Sequence, residues 1–293
     1  MSKLILNSYA KLNLYLGVFN KRKDAYHNIK TIFERINLAD KIILEARRRD
    51  KKIKIICDSE GLPEKNSRNL AYRSAKLLQD SLKVNQGIEI RIIKHIPVGS
   101  GLGGGSSNAA TVLLGLNKLW KLNLSRKKLV DFAKKIGSDV PFFIYNCPFA
   151  QGEGRGDKIK PLMTAGRVRL WHILAVPEVR VPTPRIYKEW DAYSGLTKAK
   201  LDVKILTLAL RKKDPGCLGK FLFNSLQMIT SKLYPQVEEI REKLARLGLK
   251  AILMSGSGPA MFGIVSSRKE AVSLSRELKR ENRSWQVFVT RTV

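Results

Sequence analysis

Cysteine and histidine are scarce in this chain of 293 residues. It has three of each, with the cysteines at Cys57, Cys147 and Cys217 and the histidines at positions 27, 95 and 172. An odd number of widely separated cysteines makes no disulfide framework and is typical of a reducing compartment. Their spacing relative to the histidines matches no zinc-binding pattern, so the sequence argues against a structural zinc site.

Long apolar runs are also missing. The run Leu4-Ile5-Leu6 is too short for a signal peptide, and no stretch is long enough to span a bilayer. We therefore expect a cytoplasmic protein with no membrane partner. No internal repeat or low-complexity segment is visible, and the length suits one large domain or two medium ones.

Acidic residues are outnumbered, with 25 Asp and Glu against 55 Lys and Arg, for a formal net charge of +30. This balance allows a nucleic-acid binder, a protein of anionic membrane surfaces, or an enzyme whose substrates are anions. The basic residues form short clusters spread along the chain, with no basic arm and no strand of interleaved aromatic residues. We interpret them as a generally basic, solvated surface, which disfavours a nucleic-acid partner.

Glycine, by contrast, is concentrated, with five glycines in the seven positions 99–105. A predicted strand at Ile88–Ile93 precedes them, and a predicted helix at Asn108–Trp120 follows them. Glycine lacks the Cβ that would keep a bulky anion from the backbone, and a helix N-terminus offers free amides and the positive end of its dipole. The sequence therefore predicts a site for a phosphate chain in the loop formed by Pro97, Val98, Gly99, Ser100, Gly101, Leu102, Gly103, Gly104, Gly105, Ser106 and Ser107.

Two known loop types and a plain linker are the alternatives. Gly99-x-Gly101-x-x-Gly104 fits the dinucleotide fingerprint, but no Asp or Glu stands about 20 residues further on to hold a ribose hydroxyl. A Walker loop ends in Gly-Lys-Ser/Thr, whereas Gly105 is followed by Ser106. A flexible linker is not normally flanked by an apolar strand and an apolar helix. A phosphate loop of a third type is favoured.

Hydrophobic periodicity predicts strands and helices along the whole chain. Strands are expected at Lys3–Leu6, Lys11–Phe19, Lys41–Glu45, Ile53–Cys57, Ile88–Ile93, Val168–Val176, Ala251–Met254, Met261–Val265 and Trp285–Thr290. Helices are expected at Leu70–Leu82, Asn108–Trp120, Arg126–Ile136, Val203–Arg211, Leu218–Ser231, Pro235–Leu247 and Lys269–Glu281. This mixture predicts an α+β protein. We place the domain boundary just after a second glycine-rich stretch, Gln151–Asp157, which gives domains 1–160 and 161–293.

Phosphoryl transfer needs a base for the attacking hydroxyl and a cation near the transferred group. Asp139 follows a predicted helix end at Gly137 and offers a carboxylate, although by itself an N-cap is the better interpretation. Lys11 and Asn13 alternate with leucines and so share one face of an early strand. They could line a cleft or simply face water.

Several segments together resemble the GHMP kinases (galacto-, homoserine, mevalonate and phosphomevalonate kinases). Ile96–Ala110 is similar to their phosphate loop, and the match continues in Ala10–Leu14, Asp24–Ile29, Gly137–Phe143, Val181–Pro184, Phe223–Leu226 and Met254–Pro259. Within that family, Tyr26-His27 together with Ser106-Ser107-Asn108 resembles the members that phosphorylate the 2-hydroxyl of a cytidylyl-methylerythritol in the non-mevalonate isoprenoid pathway. The resemblance implies an N-terminal ribosomal-protein-like β/α domain and a C-terminal ferredoxin-like α/β sandwich.

The same resemblance implies roles for individual residues. Asp139 would be the general base, and Lys11 would orient that carboxylate and offset charge on the γ-phosphoryl group of ATP, whose oxygens Mg²⁺ would bridge. Tyr26, His27 and Tyr187 would hold the cytosine between aromatic rings and hydrogen-bond its edge, with Asn13 also reaching the substrate. Metal ligands are not assigned. A monomer or homodimer is expected.

Two positions depart from the family pattern. Ala25 stands where glycine is usual, so the loop before Tyr26 is less free in φ. Gln227 stands where an acidic residue is common, which puts a polar or metal role there in doubt. The alternatives are another GHMP kinase, acting on homoserine or a mevalonate without a nucleobase clamp, and a basic nucleic-acid-binding module, which would not require the glycine loop.

Overall fold

The computed structural model of the chain describes residues 2–47, 50–58, 68–193 and 202–293. The strands in these ranges are β1 (Lys3–Lys21), β2 (His27–Arg47), β3 (Ile53–Cys57), β4 (Gly87–Ile93), β5 (Phe149–Gly154), β6 (Lys158–Pro161), β7 (Trp171–Val176), β8 (Phe223–Asn224), β9 (Ile252–Met254), β10 (Met261–Val265) and β11 (Gln286–Arg291). The α-helices are α1 (Leu70–Ser81), α2 (Gly104–Leu119), α3 (Arg126–Ile136), α4 (Val140–Tyr145), α5 (Thr183–Tyr193), α6 (Val203–Lys212), α7 (Pro215–Gly219), α8 (Gln227–Leu233), α9 (Pro235–Arg246) and α10 (Arg268–Glu281). The predicted α+β class is confirmed.

Capping side chains set where several helices begin. The Ser125 hydroxyl accepts a hydrogen bond from the Lys128 amide at the start of α3, and Ser267 does the same for the Glu270 amide at the start of α10. Each bond satisfies an amide that the first helical turn leaves without a partner inside the helix. Helix α3 ends before Gly137, so its predicted bounds are confirmed.

The residues group into two compact units. The first unit consists of Met1–Ala10, Leu38–Val98 and Gly103–Asn146, and the second of Lys11–Asn37, Gly99–Leu102 and Cys147–Val293. The long strands β1 and β2 therefore contribute residues to both units. The division of the chain into domains 1–160 and 161–293 stays a prediction.

In the first unit, four helices accompany strands of a sheet. Strand β4 pairs in parallel with β3 and antiparallel with Lys41–Arg47 of β2, whose other neighbour is β1. Helices α1 to α4 contact one another. In α2, Gly115 comes so close to Leu6 and Leu44 that an added Cβ would lie 2.3 Å from the Leu44 side chain. The helices thus bury the apolar face of these strands.

The second unit contains strands of two sheets. The Ile29–Glu34 part of β2 pairs antiparallel with β5, β5 pairs with β6, and β8 runs parallel to β1 at Tyr15 and Leu16. The other sheet has the order β11-β7-β10-β9, with antiparallel neighbours throughout. This is the order of a ferredoxin-like split βαβ arrangement, as expected. Its apolar core includes side chains of α5, α8, α9 and α10, among them Trp190, Ile229, Ile240 and Leu278.

One predicted helix is wrong. Leu218–Ser231 is not continuous, because α7 ends at Gly219 and β8 intervenes before α8 begins at Gln227. The Asn224 amide group donates to the carbonyl oxygens of Met254 and Gly256, both at 2.8 Å. These bonds to a distant segment hold the chain extended where local propensity favours a helix.

Candidate active site

The glycine loop adopts a backbone that glycine takes up at little cost. The angle φ is 70° at Gly99, 81° at Gly101 and 71° at Gly103. These values lie in the left-handed region, which L side chains disfavour. At Gly101 an added Cβ would also lie 2.2 Å from the carbonyl oxygen of Ser255. Glycine is therefore required at this position by conformation and by space.

Helix α2 begins at Gly104, one turn earlier than predicted. No side chain caps its N-terminus, since the N-cap is Gly103, and no acidic residue lies in its first turn. The first-turn amides have no partner inside the helix and lie at the positive end of its dipole. This geometry suits an anion, as the sequence predicts.

Buried Asp40 joins the two flanks of the glycine loop that belong to the first unit. One carboxylate oxygen accepts hydrogen bonds from the amides of His95 and Ile96, both at 2.8 Å. The other accepts from the Asn108 side chain at 2.9 Å and from the Lys94 ammonium. The chain entering the loop and the helix leaving it are therefore held by one carboxylate.

A second set of bonds reinforces the start of α2. The Asn108 side chain also donates to the Ser8 hydroxyl at 2.9 Å, and the hydroxyls of Ser8 and Ser107 are 2.8 Å apart. Sequence reasoning missed Asp40 and Ser8. The available signal was a carboxylate, Asp40, that follows the apolar residues Leu38-Ala39 and comes one lysine before Ile42–Leu44.

Lys11 and Asn13 are buried, so the interpretation that they face water is wrong. Their exposed fractions are 3% and 2%. The Lys11 ammonium donates to the Asn13 side-chain oxygen at 2.5 Å and lies 5.6 Å from the centre of the Phe33 ring. The Asn13 amide group donates to Thr31 at 2.8 Å, and the Lys11 backbone amide donates to the Leu102 carbonyl at 3.0 Å. The Lys11 ammonium is therefore buried against Asn13 and Phe33, and the Lys11 backbone is bonded to the glycine loop.

Asp139 occupies the N-cap position of α4, with Pro141 in the first turn. Its side chain nevertheless makes no capping hydrogen bond to that helix. Asp139 therefore has the position of an N-cap residue, but its carboxylate does not cap the helix.

Two of the predicted base-binding residues, His27 and Tyr187, form an aromatic cluster with Trp190 in the second unit. The His27 ring stacks on Tyr187 with centroids 5.1 Å apart and 25° between planes, and the Trp190 ring lies nearly perpendicular to it with centroids 5.3 Å apart. Tyr26 is half exposed, with the Arg155 guanidinium 4.9 Å from its ring centre. His27 and Tyr187 thus contact each other directly, leaving no room for a base between their rings.

An ion pair that sequence reasoning missed lies behind this cluster. Asp191 approaches the His27 Nε2 atom at 2.5 Å and the Lys21 ammonium at 2.6 Å. Partial burial raises the pKa of Asp191, but hydrogen bonds from Lys21 and His27 outweigh it and leave the pKa below its usual value. The preceding turn contains Ala25 with φ of 64°, a left-handed conformation that glycine adopts more readily than alanine.

The segment Ser255–Pro259 packs on the glycine loop within the second unit. The Ser255 hydroxyl donates to the Gly101 carbonyl at 3.2 Å, and the Ala260 amide donates to the Ser100 carbonyl at 3.1 Å. The Gln227 side-chain oxygen accepts from the Met254 amide at 2.9 Å. Position 227 therefore has a polar role, and a neutral amide oxygen fills it.

The site residues predicted from the sequence fall in both units. The second unit contains Lys11, Asn13, Gly99, Ser100, Gly101, Leu102, Tyr26, His27 and Tyr187, and the first contains Pro97, Val98, Gly103, Gly104, Gly105, Ser106, Ser107 and Asp139. Among the residues the structure describes, no three His, Cys, Asp or Glu side chains are grouped as a metal site would need. Nor does any helix in those ranges have the length and apolar character to cross a membrane.

Comparison with known proteins places the chain in a family. Models of the GHMP kinase N-terminal and C-terminal domains match residues 69–147 and 206–284. The 4-diphosphocytidyl-2-C-methyl-D-erythritol kinase of Acetivibrio thermocellus is 37% identical over 293 residues, which is 100% of both chains. This chain belongs to that family of GHMP kinases. A protein of the same name from Geobacillus kaustophilus is 40% identical over 263 residues, covering 90% of this chain and 88% of its own.

Solved structures agree with that placement. A crystal structure of a 4-(cytidine 5'-diphospho)-2C-methyl-D-erythritol kinase is 31% identical, covers 99% of this chain and 100% of its own, and superposes with a TM-score of 0.80. The mevalonate kinase of L. major, solved in complex with R-mevalonate, reaches 0.76 at 17% identity, covering 100% of this chain and 96% of its own, and shares the fold alone. The expected two-part GHMP kinase fold is confirmed, and the chain is an enzyme of a kinase family.

Proposed function

We propose that this GHMP kinase transfers the γ-phosphoryl group of ATP to the 2-hydroxyl of 4-diphosphocytidyl-2-C-methyl-D-erythritol, in the non-mevalonate route to isoprenoid precursors. The observation that carries the proposal is full-length relatedness to kinases of that name, at 37% identity across 293 residues. A cytoplasmic location and a monomeric or homodimeric state remain part of the proposal.

ATP would bind through the glycine loop. Main-chain amides of Pro97–Ser107 would hold the phosphates, since the three left-handed glycines and the uncapped start of α2 leave donors without side chains in the way. Proline contributes no amide, so the donors begin after Pro97. Asp40 would keep the flanks of the loop in place.

In the reaction, Asp139 would accept the proton of the 2-hydroxyl as that oxygen attacks the γ-phosphorus. The bond from the γ-phosphorus to the bridging oxygen breaks, and ADP leaves. Lys11 would offset the negative charge that develops on the transferred group. The burial of the Lys11 ammonium and its bond to Asn13 support a fixed electrostatic role.

The nucleobase would stack between Tyr26 and Tyr187, with His27 at its edge. Because His27 covers one face of Tyr187, the base would lie against the other face of Tyr187, and the His27 ring would meet the base by its edge. Base stacking on an aromatic ring contributes about 1–3 kcal/mol per base.

Mg²⁺ fits the site as a companion of ATP. Mg²⁺ commonly keeps several waters and binds through substrate phosphates with one or two carboxylates. The described residues have no acidic cluster that would hold the ion without nucleotide. When bound, Mg²⁺ supplies charge neutralisation at the phosphate oxygens.

A substrate panel tests the proposal. Purified protein with ATP is assayed against 4-diphosphocytidyl-2-C-methyl-D-erythritol, homoserine and mevalonate, with formation of ADP and phosphorylated product measured. We expect turnover of the cytidylyl substrate alone. Turnover of homoserine or mevalonate at a comparable kcat/KM would reject the assignment.

The general base is tested by Asp139→Asn, with Asp131→Asn in α3 as the matched control. We expect kcat to fall at least about 100-fold in the first variant, because proton transfer by a positioned group contributes about 10²–10⁴-fold. ATP binding, followed by titration calorimetry, should be retained. A near-normal kcat for Asp139→Asn would remove Asp139 from the mechanism.

A further inference from the structure

His27 is held on three sides by side chains of α5. Tyr187 covers one face of the ring, Trp190 contacts it in a T-shaped arrangement, and Asp191 approaches Nε2 at 2.5 Å. Only 5% of the residue is exposed. The ring therefore has little rotational freedom, and its two nitrogens are in different surroundings.

The partner of Nε2 is the Asp191 carboxylate, which a second contact helps to keep ionised. The Lys21 ammonium contacts the other Asp191 oxygen at 2.6 Å. The pKa of Asp191 lies below its usual value because the hydrogen bonds from Lys21 and His27 outweigh the effect of partial burial. An ionised carboxylate only accepts hydrogen bonds, so the nitrogen facing it must carry the proton.

The other ring nitrogen then has a defined character. In a neutral imidazole with its proton on Nε2, Nδ1 is an acceptor. Within the described ranges no residue hydrogen-bonds to Nδ1; Asp191 is the ring's hydrogen-bond partner there. This nitrogen can therefore accept a hydrogen bond from a donor group of a ligand.

We infer that Asp191, together with Lys21, is a positioning residue that fixes the Nε2-protonated tautomer of His27 and so makes the base site select an amino-bearing pyrimidine over one with a carbonyl there. Cytosine presents an amino donor where uracil presents an acceptor. Two opposed acceptors leave both unsatisfied, which costs about 10-fold to 100-fold in binding when buried. The identity of the ligand in this inference rests on the proposed function, whereas the tautomer of His27 is independent of that function.

The tautomer is measured directly by long-range ¹H–¹⁵N NMR on the uniformly labelled full chain. Only three histidines contribute, and His27→Gln assigns the signal of His27. We expect the wild-type ring to be protonated on Nε2, and Asp191→Ala to give a mixture of tautomers while Glu189→Gln on the same helix changes nothing. A wild-type ring protonated on Nδ1, alone or together with Nε2, overturns the inference, because Nδ1 is then a donor.

Selectivity is measured by adding CMP and UMP to the same samples. We expect CMP to shift the His27 Nδ1 signal at a concentration at least about 10-fold lower than UMP does, and Asp191→Ala to abolish the difference. Asp191→Glu, which keeps a carboxylate, should restore part of it. Equal responses of wild-type protein to CMP and UMP overturn the selective role, even with the expected tautomer.

Kinetics separate this inference from the proposed function. With cytidylyl and uridylyl substrates, Asp191→Ala should raise KM for the cytidylyl substrate about 10-fold or more and leave kcat and the KM for ATP unchanged. If wild-type protein phosphorylates neither substrate, the proposed function fails, and the NMR results still decide the role of Asp191. If Asp191→Ala unfolds, Lys21→Met provides the second variant, with a smaller loss of selectivity expected.

Discussion

Two histidine–carboxylate pairs in the second unit make the same kind of Nε2–carboxylate contact, but one is fully buried and the other is partly exposed to solvent. His172 and Glu34 are both fully buried, with Nε2 3.2 Å from the carboxylate, whose other oxygen accepts from the Thr292 hydroxyl at 2.6 Å. Asp191, the partner of His27, is 28% exposed and also binds a surface lysine. In the described part of the chain, His172 Nδ1 is buried with no partner.

We call His172–Glu34 the structural pair, and we call His27–Asp191, which we propose acts at the base site, the binding pair. The Glu34 network ties β2 to β7 and to the chain end after β11, where Thr292 also accepts from the Leu170 amide at 2.8 Å. All its connections lie inside the protein, so its contribution is to stability. The Asp191 pair joins a buried ring to a partly solvated carboxylate, and the residue before His27, Tyr26, is half exposed.

Removing Glu34 should give the largest effect and break the structural pair. Glu34→Ala leaves the His172 ring and the Thr292 hydroxyl buried without their acceptor, so the free energy of unfolding should fall by about 3–5 kcal/mol. Urea denaturation followed by circular dichroism measures it. Asp191→Ala serves as the comparison and should cost much less; equal losses would erase the distinction between the two pairs.

Tyr187→Ala removes the ring that stacks on His27 of the binding pair, and it should impair base binding without a comparable loss of stability. Because stacking contributes about 1–3 kcal/mol per base, KM for the cytidylyl substrate should rise about 10-fold to 100-fold, with the KM for ATP unchanged. Steady-state kinetics measure both constants. Tyr193→Ala, on the same helix, is the control; proportional rises in both KM values would contradict a role of Tyr187 at the base.

Ala25→Gly should sharpen the comparison by relieving strain next to the binding pair. Alanine at φ of 64° bears a steric cost that glycine does not. After the larger entropy that glycine loses on folding, the free energy of unfolding should rise by about 0.5 kcal/mol. Thermal and urea unfolding measure it, and Ala46→Gly inside β2 should instead destabilise.

Acid should weaken the Asp191 pair slightly. The pKa of Asp191 in the folded protein is lower than in the unfolded chain, so its contribution is present above about pH 4 and is lost as the pH falls through the folded value. The effect should be about 0.5 kcal/mol, as for other solvent-accessible pairs. Unfolding free energies of wild type and Asp191→Asn should converge in acid; a gap that widens there contradicts the prediction.

Local features of the fold were predictable. The bounds of α3 follow from Ser125 and Gly137, and the glycine loop from its flanking strand and helix, because these signals act within a few residues. Strand β5 was not predicted because its glycines indicated a loop. Gly152 is in fact required by packing, since a Cβ there would lie 2.8 Å from the Phe33 ring.

In the candidate site, too, some features were predictable from the sequence and others were not. The sequence by itself determined the family, the phosphate loop and the residues Lys11, Tyr26, His27 and Asp139 as candidates, because contiguous motifs carry them. Only the tertiary structure decided that Lys11 is buried and that His27 meets Asp191, 164 positions away along the chain. The physical reason is that hydrogen bonds and desolvation depend on distance in space, which neither periodicity nor spacing along the chain encodes.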